Sequence, residues 1–195
     1  MKKVGELIFE NCLGKKTLLY GEINTNKTFL TSKFVEFLIY SKNIPPKDVS
    51  ILDFGPKMRI VNNVKIGGRL EDYSNSIHRC NYINLQEEII PPRLEAKNRY
   101  EFYSNICQNY KNTNESVLKF KESPTNFLIL NDISLYLHCG KPKNLLKILN
   151  ISYTFFGNIY YGSSINSKYS KLFNILEKKK TESLLKNLGP CFFTG

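Results

Sequence analysis

Apolar residues along the chain switch repeatedly between helical and strand-like spacing, and the order of those switches predicts the fold. Val4, Leu7, Ile8 and Cys12 fall on one face of a short amphipathic helix over 4–13, which Gly14 ends. Thr17-Leu18-Leu19-Tyr20 follows as an apolar strand. Phe29, Leu30, Phe34, Phe37, Leu38 and Ile39 then recur at helical spacing over 29–40, until Asn43-Ile44-Pro45-Pro46 stops the pattern. Val49-Ser50-Ile51-Leu52-Asp53-Phe54 reads as a buried strand, broken by Gly55-Pro56. Arg59-Ile60-Val61 and Val64-Lys65-Ile66 flank Asn62-Asn63 as a small hairpin. A weaker strand covers 80–85, and Pro91-Pro92 opens a helix over 93–110. Phe127-Leu128-Ile129-Leu130 is the most apolar strand. Pro142 starts another short helix, and 153–161 is rich in β-formers. A final helix over 165–188 carries Leu172, Ile175, Leu176, Leu184, Leu185 and Leu188.

Strands alternating with helices imply an α/β fold with a mostly parallel central sheet and helices on both faces. No repeat or linker divides the chain, so residues 1–195 read as a single domain. The 42% hydrophobic and 23% charged content fits a packed globule and excludes a disordered chain. The five cysteines are scattered, odd in number and without metal-ligand spacing, and no signal peptide precedes them. They read as reduced thiols of a cytoplasmic protein. The longest apolar runs fall far short of a membrane span, and two histidines are too few for a His-built metal site. The formal charge of +11 adds one thing: an attraction to polyanions such as nucleotides, nucleic acid or an acidic partner.

The densest chemistry lies between the first strand and the helix after it. Gly21-Glu22-Ile23-Asn24-Thr25-Asn26-Lys27-Thr28 matches the phosphate-binding P-loop, Gly, four residues, then Gly-Lys-Ser/Thr, except that Asn26 replaces a glycine. The strand–loop–helix setting is the one that motif requires. Backbone N–H groups from Gly21 through Phe29, backed by the helix N-terminus, would cradle phosphates. Lys27 would reach the β- and γ-phosphates, and the Thr28 hydroxyl would hold Mg²⁺. Asn is the non-glycine type that best tolerates left-handed backbone, so Asn26 is expected to cost ~1 kcal/mol of strain.

A nucleotide site also needs an acid at the end of a second apolar strand. Phe127 to Asp132 offers one in two registers. If the strand includes one more residue, Asp132 is the Mg²⁺ partner. If it does not, Asn131 supplies a neutral oxygen and Asp132 stands where an acid would activate water. Asp53, at the end of the other buried strand, is a candidate base.

Gly14-Lys15-Lys16-Thr17-Leu18-Leu19-Tyr20-Gly21-Glu22, running into Lys27-Thr28, resembles the RecA/KaiC-like ATPases. Ile51-Leu52-Asp53, Pro91-Pro92-Arg93-Leu94 and Asn131-Asp132-Ile133-Ser134 are shorter, looser likenesses to segments of the same proteins. The resemblance implies a three-layer RecA-like core, Mg-ATP as ligand, weak or regulated ATPase activity, and nucleic acid or self-assembly as partners. In that reading Lys27, Asp53 and Asp132 carry catalysis, residues 21–29 hold the nucleotide, and Thr28 and Asp132 hold the metal. Asn26 and the Asn131-Asp132 ending depart from the family pattern.

Two other readings fit the same loop. A nucleotide or small-molecule kinase would need an acceptor site and a basic lid, for which 57–79 is the available segment. A non-catalytic P-loop module would use its charge to hold nucleic acid or a partner protein. Lys57, Arg59, Lys65 and Gly67-Gly68-Arg69 form a basic, glycine-containing stretch that suits either phosphate contact or a solvated hairpin. Arg93 reads as a phosphate-sensing arginine or a helix-surface charge. His138 reads as a packed histidine, and Glu177-Lys178-Lys179-Lys180 as a solvated helix face. Tyr153, Phe155, Phe156, Tyr160 and Tyr161 read as a buried strand and its edge.

Overall fold

The computed structural model describes residues 2–61, 64–165 and 168–195, so the Asn62-Asn63 turn of the expected hairpin lies outside the described residues. In chain order the strands are β1 (Lys2–Lys3), β2 (Lys16–Gly21), β3 (Val49–Asp53), β4 (Arg59–Val61), β5 (Val64–Ile66), β6 (Asn81–Tyr82), β7 (Phe127–Asn131), β8 (Thr154–Tyr160) and β9 (Cys191–Phe193). The α-helices are α1 (Lys27–Glu36), α2 (Pro92–Glu95), α3 (Arg99–Glu122), α4 (Ser134–Leu137), α5 (Pro142–Leu149) and α6 (Lys171–Asn187). The main sheet has seven parallel strands in the order β1-β9-β2-β8-β7-β3-β6, and β4 and β5 pair antiparallel beside it.

The fold is α/β, with helices on both faces of the parallel sheet. Period-two alternation assigns the side chains to those faces. Leu19, Ile51, Ile129 and Phe156 pack with Phe34, Val35 and Leu38, the last of these in the π-helical turn Phe37–Ser41 that continues α1. Leu18, Leu52, Leu128, Leu130 and Phe155 pack on the opposite face with Val117, Phe120, Leu145, Leu149 and Leu184. Burial on both faces explains why these strands read as nearly unbroken apolar runs. The chain leaves β2 through α1 on one face and reaches β9 through α6 on the other. The carboxyl end of β2 is therefore a topological switch point, the place where open α/β sheets receive ligands.

Several expected elements take a different form. The segment 4–13 makes two 3₁₀ turns, Val4–Glu6 and Phe9–Cys12, separated at Leu7-Ile8. The helix expected over 93–110 is two helices: α2 stops at Glu95, and α3 starts after Asn98, whose side chain accepts the Glu101 N–H at 2.9 Å. α3 runs past Tyr110 to Glu122 because its polar middle is buried. Asn112 accepts the Gln86 N–H at 2.9 Å, and Asn109 accepts the Ile90 N–H at 3.1 Å. The weak strand over 80–85 shrinks to β6, where pairing to β3 covers only Asn81 and Tyr82. The last helix starts at Lys171, not 165, and turns Phe173, Glu177, Thr181 and Leu184 inward. Leu172, Ile175 and Leu176 are exposed. β1, β9 and α4 are too short to leave a periodic signal.

Candidate functional site

The loop after β2 adopts the backbone its sequence requires. Asn26 is the N-cap of α1 and lies in the left-handed region at φ 61°, ψ 17°; Asn24 has φ 58°. Asparagine accepts this geometry at less cost than other non-glycine residues. Gly21 is needed for a different reason. A Cβ there would stand 2.5 Å from Thr194 Oγ1 and 2.8 Å from the Gly195 carbonyl oxygen. That close approach braces the loop, since Glu22 N–H donates to Gly195 O at 3.0 Å. The hydroxyls of Thr25 and Thr194 lie 2.7 Å apart.

Lys27 folds back across the loop. Its ammonium donates to Gly21 O at 3.0 Å, to Glu22 O, and to Thr25 Oγ1 at 3.2 Å. Burial pushes its pKa down to about 8, against the opposing pull of the Asp132 and Glu22 carboxylates.

The strand ends beside the loop form one hydrogen-bonded network centred on Asn131. Its Oδ1 accepts the Thr28 hydroxyl at 3.2 Å and the Asn158 amide at 2.7 Å. Its Nδ2 donates to Asp53 Oδ1 at 2.7 Å and to Gly68 O at 3.1 Å. Asp53 also accepts the Gly55 N–H at 3.1 Å and the Leu70 N–H at 2.6 Å. Burial still lifts its carboxyl to about 6. Asn158 reaches this network because β8 lies between β2 and β7; its Oδ1 accepts the Asp132 N–H at 3.1 Å.

β7 runs one residue past Leu130, yet Asn131 and not Asp132 meets the Thr28 hydroxyl. The strand includes Asn131, which sits beside Thr28, while Asp132 follows it with φ 53° and turns into the cleft. Burial raises the Asp132 pKa, opposed by the Ser134 hydroxyl that donates to it and by the positive fields of His138 and Lys27.

The cleft has a volume of about 370 Å³ and is lined by the loop from Ile23 to Phe29, by Asp132 and Asn158, and on its far side by Arg93 and His138. Those last two residues share one buried carboxylate. Arg93 Nη2 pairs with Glu177, and His138 Nε2 lies 2.9 Å from the other Glu177 oxygen. Arg93 Nε donates to Asn174 at 3.0 Å, and its guanidinium lies over Phe173 at 5.0 Å and Tyr160 at 5.8 Å. Burial alone would raise the Glu177 carboxyl, but His138 and Arg93 together hold it below its ordinary value.

Lys27, Thr28, Phe29 and Asp132 therefore converge on one cleft, together with the rest of the loop. Asp53 does not line it; it lies behind Asn131 and borders a smaller cavity with Lys57, Arg69 and Tyr82. The basic segment contributes Gly67 and Gly68 to the cleft, while Lys57 pairs with Glu88 at 3.4 Å and Arg59 pairs with Glu95. Of the aromatic run, Phe155 and Phe156 are core, Tyr160 lines the cleft, and Tyr153 is exposed. Asn158, within an apolar strand, gave no signal in the sequence, and Glu177, expected on a solvated helix face with Lys178 to Lys180, is instead buried between Arg93 and His138. The inward spacing of Phe173, Glu177, Thr181 and Leu184 is the signal that separates Glu177 from its neighbours.

Among the described residues no group of three or more His, Cys, Asp or Glu side chains could hold a metal. Of the two expected ligands, the Thr28 hydroxyl suits Mg²⁺, which takes few protein ligands and relies on phosphate oxygens and water for the rest, while Asp132 lines the same cleft and Asn131 takes the place beside Thr28. Among the described residues no helix is long and apolar enough to cross a membrane. The chain matches no protein-family model and no curated protein.

Proposed function

We propose that the chain binds a nucleoside triphosphate, ATP by resemblance, through residues 21–28 and hydrolyses it slowly, as a P-loop protein of the RecA-like kind. One observation carries this reading. Asn26 takes the left-handed backbone of the glycine it replaces, at the start of a ten-residue helix, with Lys27 beside it. A helix N-terminus with free N–H groups and an adjacent lysine is an anion site on physical grounds alone.

Within that reading each residue takes one role. Lys27 exchanges its carbonyl partners for phosphate oxygens and stabilises their charge. Thr28 would hold Mg²⁺, and the ion would supply charge neutralisation at the phosphate oxygens. Asp132, which lines the cleft, orients the attacking water, whereas Asp53 holds Asn131 and the Gly55 and Leu70 backbone in place. The neutral Asn131 beside Thr28 removes a charge that would otherwise help hold the metal, which accounts for slow turnover. Phosphate release in Mg-ATP tests the assignment. Asp132→Asn should cut turnover at least tenfold with nucleotide affinity intact, and unchanged turnover would remove Asp132 from the mechanism.

A further inference from the structure

Beyond the residues of the phosphate loop, the lining of the cleft includes several apolar side chains. Ile66, Tyr73, Leu94 and Ile165 line it, yet among the described residues none of them belongs to a cluster of buried hydrophobic side chains. Apolar surface kept out of every core and gathered around a cavity is the composition of a small-molecule site. Arg93 supplies the polar group such a site needs. Its side chain is 7% exposed and held by Glu177, Asn174 and two aromatic rings. Nη1 makes no hydrogen bond among the described residues, so it remains a donor within a clamped guanidinium. Glu177, its counter-charge, divides its two oxygens between Arg93 and His138. A guanidinium only donates, and its fork geometry favours carboxylate, sulfonate or phosphate oxygens.

We propose that this half of the cleft is a second subsite that binds a small organic anion alongside the nucleotide. The apolar body of the ligand lies against Ile66, Leu94 and Ile165, and its anionic group accepts from Arg93. The loop's phosphate-binding reading supplies only the neighbour, not the subsite.

The probe is 8-anilinonaphthalene-1-sulfonate, an aromatic body with one sulfonate, titrated by fluorescence into the full chain with and without saturating Mg-ATP. The expected result is saturable 1:1 binding that persists with nucleotide present. Arg93→Met should weaken it at least tenfold. Because that variant leaves Glu177 short of a partner and can unfold, Ile66→Asp gives a second test. Ile66 ends β5 and joins no hydrophobic core cluster among the described residues, and a carboxylate there should repel the probe by a similar factor. Displacement of the probe by nucleotide would overturn the proposal, since the cavity would then be one site. Binding that is unsaturable, or unchanged in both variants, would overturn it too. If the probe behaves as expected but Mg-ATP does not bind at all, the subsite stands and the nucleotide reading falls.

Discussion

Nucleotide binding should draw a proton from solution above pH 8, and Lys27 is the reason. In the unliganded loop its ammonium is buried against two carbonyls and a hydroxyl, which lowers its pKa from 10.5 to about 8. Phosphate oxygens would replace those neutral partners with negative charge and return the pKa to its ordinary value or above. A recovery of about 2.5 units is worth about 3.4 kcal/mol, roughly 300-fold in affinity. That coupling appears as a loss of about tenfold in affinity per pH unit from pH 8 to 10.5. Uptake should be ~0.5 proton per nucleotide at pH 8 and ~0.9 at pH 9. Phosphate's own second ionisation, near pH ~6, lies outside the window. Calorimetry at pH 8 and 9, in buffers of different ionisation enthalpy, reads the uptake directly, and Lys27→Met should abolish it. A flat affinity from pH 7.5 to 10, or equal uptake in Lys27→Met, would refute the reasoning. The same shift acts on folding. The unfolded chain keeps the Lys27 proton to higher pH than the folded one, so the unliganded protein gains stability as pH rises from 8 to 10.5.

Asp53 has the opposite sign to an ordinary carboxylate. Its folded pKa of about 6 lies above the usual 3.8, so stability should fall by about 2 kcal/mol as pH rises from 4 to 6. Urea midpoints across that range should slope downward in the wild type and lose the slope in Asp53→Asn. Asn131→Asp removes the donor to Asp53 and Gly68 O and sets two buried carboxylates side by side, at a cost of ~3 kcal/mol at pH 7. The cost should shrink near pH 5, where one carboxyl takes a proton, and urea unfolding at the two pH values would show equal losses if Asn131 were only a spacer. At the left-handed Asn26, Gly should be tolerated within ~1 kcal/mol while Ala loses ~1–2 kcal/mol. Thermal unfolding that ranks Ala with Gly would contradict the backbone argument.

Much of the framework was legible in the chain because buried parallel strands are apolar on both faces. β2, β3, β7 and β8 appear in the sequence within a residue or two of their observed ends. The loop was legible because its chemistry is local: Gly21, Lys27 and Thr28 need only their own spacing. What stayed hidden depends on contacts distant in sequence. Asn109 and Asn112 bury their amides against the backbone of 86–90, so a polar stretch prolongs α3 where periodicity suggested its end. Asn158 reads as a chance polar residue until β8 is placed between β2 and β7. Glu177 sits among lysines in sequence but faces Arg93 and His138 in space. The exposed Leu172, Ile175 and Leu176 show the converse, helical spacing on a face that none of the described residues covers.

Every role proposed for the cleft requires the loop from Gly21 to Thr28 to bind a nucleotide through Lys27. Calorimetric titration of Mg-ATP at pH 7.5 into the wild type and Lys27→Ala tests it most directly. The wild type should bind saturably at 1:1, and the variant should lose at least tenfold in affinity. Negligible binding to both, or equal affinity for both, would contradict it.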